Sequence, residues 1–197
     1  AGCCGALSQH LDAQDEALGF ARRNIDAWWP LLEQGAEAIV MTASGCGVMV
    51  RDYAHLLRHD TAYAQKAARV SAATRDLAEI LQAEGGSLAP VSGLPRVAFH
   101  SPCTLQHGQG LGGVVESLLL SAGCELTPVA DAHLCCGSAG TYSLLQPALS
   151  HRLRDDKLRS LQAGRPGIIA SANIGCLNHL QATSDVPVLH WIELLDS

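Results

Sequence analysis

Aromatic residues are scarce: two Phe, three Tyr and three Trp make up 4% of the 197 residues. The interior is therefore aliphatic, and nothing suggests an aromatic cage. Charge is also sparse, at 16% against 48% apolar residues, which excludes a largely disordered chain. Positive charge is in deficit, with 13 Lys and Arg against 19 Asp and Glu, a formal net charge of -6. Such a chain repels a phosphate backbone or an anionic lipid surface, so nucleic acid is not an expected partner. No run approaches the ~20 apolar residues of a membrane span, so no transmembrane segment is expected. The opening Ala1-Gly2-Cys3-Cys4-Gly5 has no initiator Met, basic region or cleavage site, so a piece of a longer subunit is expected. H-E-x-x-H, G-x-S-x-G, Walker and dinucleotide motifs are all missing, and Gly108–Gly113 is only a loose glycine-rich run.

What the chain does have is eight cysteines: Cys3, Cys4, Cys46, Cys103, Cys124, Cys135, Cys136 and Cys176. A chain this long buries roughly 70% of its unfolded surface and needs no disulfide staple. Thiols that are sparse, yet twice directly adjacent, point to metal or redox chemistry. They also mark an internal repeat. Cys3-Cys4-Gly5 is followed by a helical stretch, the apolar run Ala38–Met41 and Gly45-Cys46. Cys135-Cys136-Gly137 is followed by a helical stretch, the run Gly167–Ser171 and Gly175-Cys176. The second cysteine of each pair precedes its Gly-Cys by 42 and 40 positions.

Hydrophobic periodicity alternates between helix and buried strand in both halves. Helices are predicted at 12–34, with a kink or restart at Pro30, and at 47–59, 62–84, 111–122 and 147–163. Strands are predicted at 38–41, 96–100, 125–129, 167–171 and 186–190, ahead of a short C-terminal helix. Gly85-Gly86-Ser87 and Pro90–Pro95 read as the linker. The expected organisation is a first repeat at 1–88, a linker at 89–95 and a second repeat at 96–197. The fold class is α/β: two tandem repeats, each a small, largely parallel sheet flanked by helices, related by a pseudo-two-fold. Ligands gather beyond the carboxyl ends of parallel strands, where cysteines distant in sequence converge.

Cys103, Cys135, Cys136 and Cys176 thus form the candidate metal and cofactor site. Four thiolates from three loops suit an iron-sulfur cluster or a tetrahedral metal such as zinc. Ala43 and Asn173 stand where the first cysteine of a terminal C-x-x-C would fall, which weakens the zinc reading. Gly137 is expected to let the backbone approach a bulky inorganic core, its amide bonding to sulfur. Cys3, Cys4 and Cys46 form a second, incomplete site, with His10 the nearest histidine. Cys124 reads as a packed hydrophobe. Of nine histidines, His100, His107, His133 and His179 flank the cysteines. A hydrogen bond that orders a loop is their favoured role over ligation or proton transfer. No catalytic acid, base or nucleophile stands out.

The strings AGCCGAL (Ala1–Leu7), NIDAWWP (Asn24–Pro30), TASGCG (Thr42–Gly47), SPCTLQH (Ser101–His107), HLCCGSAGTY (His133–Tyr142), ANIGC (Ala172–Cys176) and HWIEL (His190–Leu194) run in order through most of the chain. They resemble the cysteine-rich CCG domains of heterodisulfide reductase subunits, lactate-utilisation proteins and, most closely, glycolate oxidase iron-sulfur subunits. The resemblance implies the C-terminal portion of such a subunit with two CCG repeats. It implies a [4Fe-4S] cluster that relays electrons from flavin subunits, which oxidise a 2-hydroxyacid, toward a quinone or other acceptor. The implied partners are those flavin subunits and the subunit's own N-terminal ferredoxin-like module. The implied location is cytoplasmic, with peripheral association at the inner face of the cytoplasmic membrane through the complex. Relatives with complete CCG motifs hold their clusters through five cysteines, whereas the second half here offers four. Two alternatives stay open: a zinc-binding or metal-free docking module of the same complex, and the iron-sulfur subunit of a lactate oxidation system. The isolated chain is not expected to oxidise glycolate.

Overall fold

The computed structural model describes residues 1–85 and 88–195. Gly86 and Ser87, which belong to the turn-rich run read as a linker, and residues 196–197 lie outside the described residues. The chain divides into two compact units, Ala1–Leu77 and Ala78–Ser197.

The first unit begins with α1 (Ala6–His10) and α2 (Gln14–Glu33). Ala17, Ala21, Ile25 and Leu32 line the buried face of α2, repeating at one- and two-turn spacing. Full burial of Ile25 and Leu32 contributes about 1.5–3 kcal/mol each. The helix runs on through Pro30 to Glu33, although the proline forgoes one bond to the carbonyl four residues back. There follow β1 (Ile39–Met41), α3 (Ser44–Arg51), α4 (Tyr53–Leu56), α5 (Ala64–Ala73) and β2 (Thr74–Asp76), which pairs parallel with β1. Val50, Tyr53, Leu57, Ala67 and Val70 close the core against α2.

The helix expected over 62–84 is instead two helices separated by β2. The Thr74 hydroxyl donates to the Val70 carbonyl at 2.8 Å at the end of α5. Thr74 and Asp76 are buried and Arg75 is exposed, the alternation of a strand. Chain direction then reverts to helix in α6 (Leu77–Ala83).

The second unit is built on a three-stranded parallel sheet, ordered β3-β4-β5. β3 (Val97–His100) pairs with β4 (Ile168–Ser171) so that His100 faces Ser171 across the ladder, and β4 pairs with β5 (Val188–His190). All four residues of β3 are buried, as expected of a strand covered on both faces. Between β3 and β4 lie a π-helical turn (Thr104–Gly108), α7 (Val114–Ser121), α8 (Tyr142–Leu145) and α9 (Pro147–Gln162). α10 (Ile174–Gln181) joins β4 to β5, and a 3-10 turn (Trp191–Leu195) follows. Ala98, Ile169 and Val188 from the three strands pack with Leu158, Leu161 and Leu180 from the helices.

The strand expected at 125–129 reduces to a single parallel bridge, Val97 to Leu126. That bridge is held by the Val97 N–H on the Glu125 carbonyl and the Thr127 N–H on the Val97 carbonyl. Among the described residues no helix is long and apolar enough to cross a membrane.

Candidate metal centre

The two Cys-Cys-Gly turns are built alike. In each, glycine takes a left-handed backbone, φ +88° at both Gly5 and Gly137. Its amide donates to the sulfur of the first cysteine, 3.5 Å from Gly5 to Cys3 and 3.3 Å from Gly137 to Cys135. A Cβ at Gly137 would collide with the Ser150 carbonyl and the Leu153 side chain of α9. The amide reaches the sulfur of the first cysteine, and the open space expected beside the glycine is absent. The glycine is there because α9 packs against it, and an inorganic core is not what fills that side. Ser150 Oγ donates to the Gly137 carbonyl at 2.8 Å and lies 3.2 Å from His179 Nε2. His179 thus orders the turn, as favoured from sequence, and burial pulls its imidazole below the ordinary value.

The gathering of donors depends on the sheet. β3 ends at His100 and delivers Cys103, which caps the π-helical turn rather than lying in an open loop. π-turns of this kind are concentrated at functional sites. β4 ends at Ser171 and delivers Cys176 into the first turn of α10. Asn173, standing where a further cysteine would fall, joins the two. Its Oδ1 accepts from the Gly175 amide at 2.9 Å, capping α10, and its Nδ2 donates to Thr104 Oγ1 at 3.2 Å.

The four thiols influence one another in sequence, Cys103 with Cys135, Cys135 with Cys136, and Cys136 with Cys176. Cys135 is held well below the ordinary thiol value, chiefly because Cys103 and then Cys136 donate toward it. Cys103 and Cys136 are correspondingly raised. Cys176 is lowered to about 6, first by the Cys136 thiol, against the opposing effect of burial, and next by His100. A donor atom each from His100, Cys136 and Cys176 lies within 4.8 Å of the other two, and this is the one such trio among the described residues.

Two further residues belong with this set. His100, for which the sequence favours a loop-ordering hydrogen bond over ligation, is 1% exposed, and neither ring nitrogen makes a hydrogen bond of ordinary geometry. Lys157 of α9 is buried and donates to the Asp131 and Ala132 carbonyls at 2.9 and 3.2 Å, in the stretch leading to Cys135. Burial lowers its ammonium, while Cys103, Cys136 and Cys135 pull it back up. Helical periodicity alone gives a lysine as solvated, so nothing in the sequence singled it out.

In the first unit Cys4 and Cys46 meet through a hydrogen bond that lowers Cys4 to about 6 and raises Cys46. Cys3 is exposed. Asn24 and Tyr53 fix the Cys3-Cys4 backbone: Asn24 Nδ2 donates to the Cys3 carbonyl at 2.9 Å and Tyr53 Oη to the Cys4 carbonyl at 2.8 Å. His10 is exposed and does not join these thiols in a trio within 4.8 Å. Cys124 is buried in the second unit, and burial alone raises its thiol.

A buried imidazole beside the Cys136 and Cys176 sulfurs, with Cys103 and Cys135 close by in the same set, fits a soft or borderline metal centre, and these donors suit either iron-sulfur or zinc. Comparison with known proteins agrees with a metal-binding chain. The protein is 52% identical over 196 residues to the glycolate oxidase iron-sulfur subunit of Escherichia coli K12, covering 100% of this chain and 48% of that one. It is 29% identical over 178 residues to the probable glycolate oxidase iron-sulfur subunit of Bacillus subtilis 168, covering 89% and 39%. It is 26% identical over 207 residues to lactate utilization protein A of Bacillus licheniformis, covering 99% and 83%. The chain thus spans less than half the length of the two glycolate oxidase relatives. Residues 1–51 and 97–181 match the family model for the CCG cysteine-rich domain, the same stretches that carry the two Cys-Cys-Gly turns and the Gly-Cys helix starts. On that match and the shared turn geometry, this chain belongs to the CCG cysteine-rich domain family.

Proposed function

We propose that this chain is the electron-relaying portion of a glycolate-oxidising complex and that Cys103, Cys135, Cys136 and Cys176 hold a [4Fe-4S] cluster. What supports the reading is that β3 and β4 end just before Cys103 and Cys176, that the Cys136 and Cys176 sulfurs lie within 4.8 Å of each other and of a His100 nitrogen, and that Cys103 and Cys135 shift one another's thiols. A cluster bound there supplies one-electron transfer at a potential set by its ligands and surroundings. The protein's own part is to hold and tune the donors. The Gly137 amide donates to Cys135, Asn173 ties the Cys176 helix to the Cys103 turn, and the Lys157 ammonium offsets part of the thiolate charge. The 52% identity to a protein named a glycolate oxidase iron-sulfur subunit favours glycolate over lactate, for which the likeness is 26%.

On this reading the partners are flavin-containing subunits and a ferredoxin-like module of the same subunit. The complex sits in the cytoplasm or at the inner face of the cytoplasmic membrane. Cys3, Cys4 and Cys46 contribute to a second site that this chain alone does not complete.

Anaerobic purification followed by iron, sulfide and zinc analysis and EPR of the reduced protein tests the proposal. Iron and sulfide near four per chain with a paramagnetic signal on reduction are expected. Stoichiometric zinc, or no metal after anaerobic handling, overturns it in favour of a structural docking module.

A further inference from the structure

The end of β3 carries a cost that the cysteines do not explain. His100 is 1% exposed, and its ring nitrogens make no hydrogen bond of ordinary geometry, with only the Cys176 thiol facing the ring. Its ladder partner Ser171 and its chain neighbour Ser101 are buried too, and neither hydroxyl finds a partner. Buried polar groups are ordinarily satisfied, and an unmade bond costs about 1–3 kcal/mol. These groups stand where β3 and β4 end, the strands that lead to Cys103 and Cys176.

The imidazole is also in reach of the right atoms. A nitrogen of His100 and the sulfurs of Cys136 and Cys176 lie within 4.8 Å of one another. Ligands at about 2.0–2.3 Å in a tetrahedral site stand about 3.5–3.8 Å apart, so closing on one ion asks for a contraction of about 1 Å or less. Sulfur is short here, because Asn173 stands in the C-x-x-C position and spends both ends of its amide on Gly175 and Thr104. The lone pair of His100 is not so spent.

We propose that His100 is itself a metal ligand, forming with Cys136 and Cys176 a mixed imidazole–thiolate donor set. This rests on the reading that these cysteines bind metal, but not on that metal being iron. If a cluster occupies the site, replacing thiolate by neutral imidazole raises its potential, as it does where two histidines replace two cysteines on one iron. That would separate this relay from all-cysteine clusters in the order in which electrons fill them.

The test uses Co2+ alone, titrated anaerobically into the metal-free chain, with wild type compared to His100→Ala and His100→Gln. The expected wild-type spectrum has the visible bands of four-coordinate Co2+ with thiolate charge transfer. Both variants are expected to bind Co2+ at least about tenfold more weakly. A second measurement does not depend on the variants folding. With histidine-selective 15N labelling and 113Cd bound to wild type, one imidazole should show a one-bond coupling to cadmium. Unchanged Co2+ affinity in folded variants, cadmium without nitrogen coupling, or no Co2+ binding by wild type would each overturn the proposal. A chain that takes up Co2+ through His100 but refuses iron and sulfide upholds the ligand while removing the iron-sulfur reading above.

Discussion

The Ser150 carbonyl of α9 stands where a Cβ on residue 137 would go, while the Ser150 hydroxyl donates to the Gly137 carbonyl at 2.8 Å. Helix and Cys-Cys-Gly turn are thereby locked at a separation only glycine permits. Gly137→Ala must adopt φ +88° and push α9 away, at a combined cost of about 3 kcal/mol. Gly110→Ala has the same left-handed strain at φ +71° but open space around it, and should lose only about 1–2 kcal/mol. Urea denaturation of the two variants checks the contrast.

Tyr53 should report on the first cysteine pair. Tyr53→Phe removes a donor from the Cys4 carbonyl and an acceptor from Asn24 Nδ2, at 2.8 and 3.1 Å. A loss of about 1–2 kcal/mol is expected. Iodoacetamide should also modify Cys3 and Cys4 faster than in wild type, measured by peptide mass spectrometry.

Glu116 supplies a pH dependence with a definite sign. Half-buried in the first turn of α7, its carboxyl is raised by burial against backbone amides that lower it, and one carboxylate oxygen lacks a partner. A carboxyl raised on folding contributes stability below its unfolded value of about 4.3, and that contribution is lost as pH rises through the folded value. Glu116→Gln should therefore be more stable than wild type at neutral pH, with the advantage fading on acidification. Denaturant midpoints across pH would show it.

Metal content should follow position rather than thiol chemistry. Cys135→Ser or Cys136→Ser should lose bound metal after anaerobic loading, whereas Cys124→Ser, which alters a thiol raised by burial alone, should keep it. Equal metal in all three by elemental analysis would remove these cysteines from the site.

Lys157 should act through its charge. Lys157→Met deletes a buried ammonium that Cys103, Cys136 and Cys135 feel. Reduction adds an electron to the centre, so losing that cation makes the potential more negative, as read by a redox titration followed by EPR. The Asp131 and Ala132 carbonyls, left unpaired, should also cost stability.

Much of the architecture was legible because its signals are local. Continuous apolar runs before each Gly-Cys gave β1 and β4, and the repeated Cys-Cys-Gly announced two related turns. β2 escaped because Thr74–Asp76 follow an alanine-rich helix without a turn residue, and only pairing with β1 makes them a strand. Of the expected 125–129 strand only the Val97–Leu126 bridge forms. The four cysteines of the proposed site stand out in the sequence by order and spacing, and His100 by its nearness to Cys103. Lys157 does not, because its burial is decided by the packing of α9, and no local pattern records it.

Parallel pairing of β3 with β4 has a consequence for biogenesis. Cys103 and Cys135 leave the ribosome well before Cys176, and the donors meet only once β4 has inserted between β3 and β5. Metal held at the proposed site would therefore report that β3 and β4 have paired.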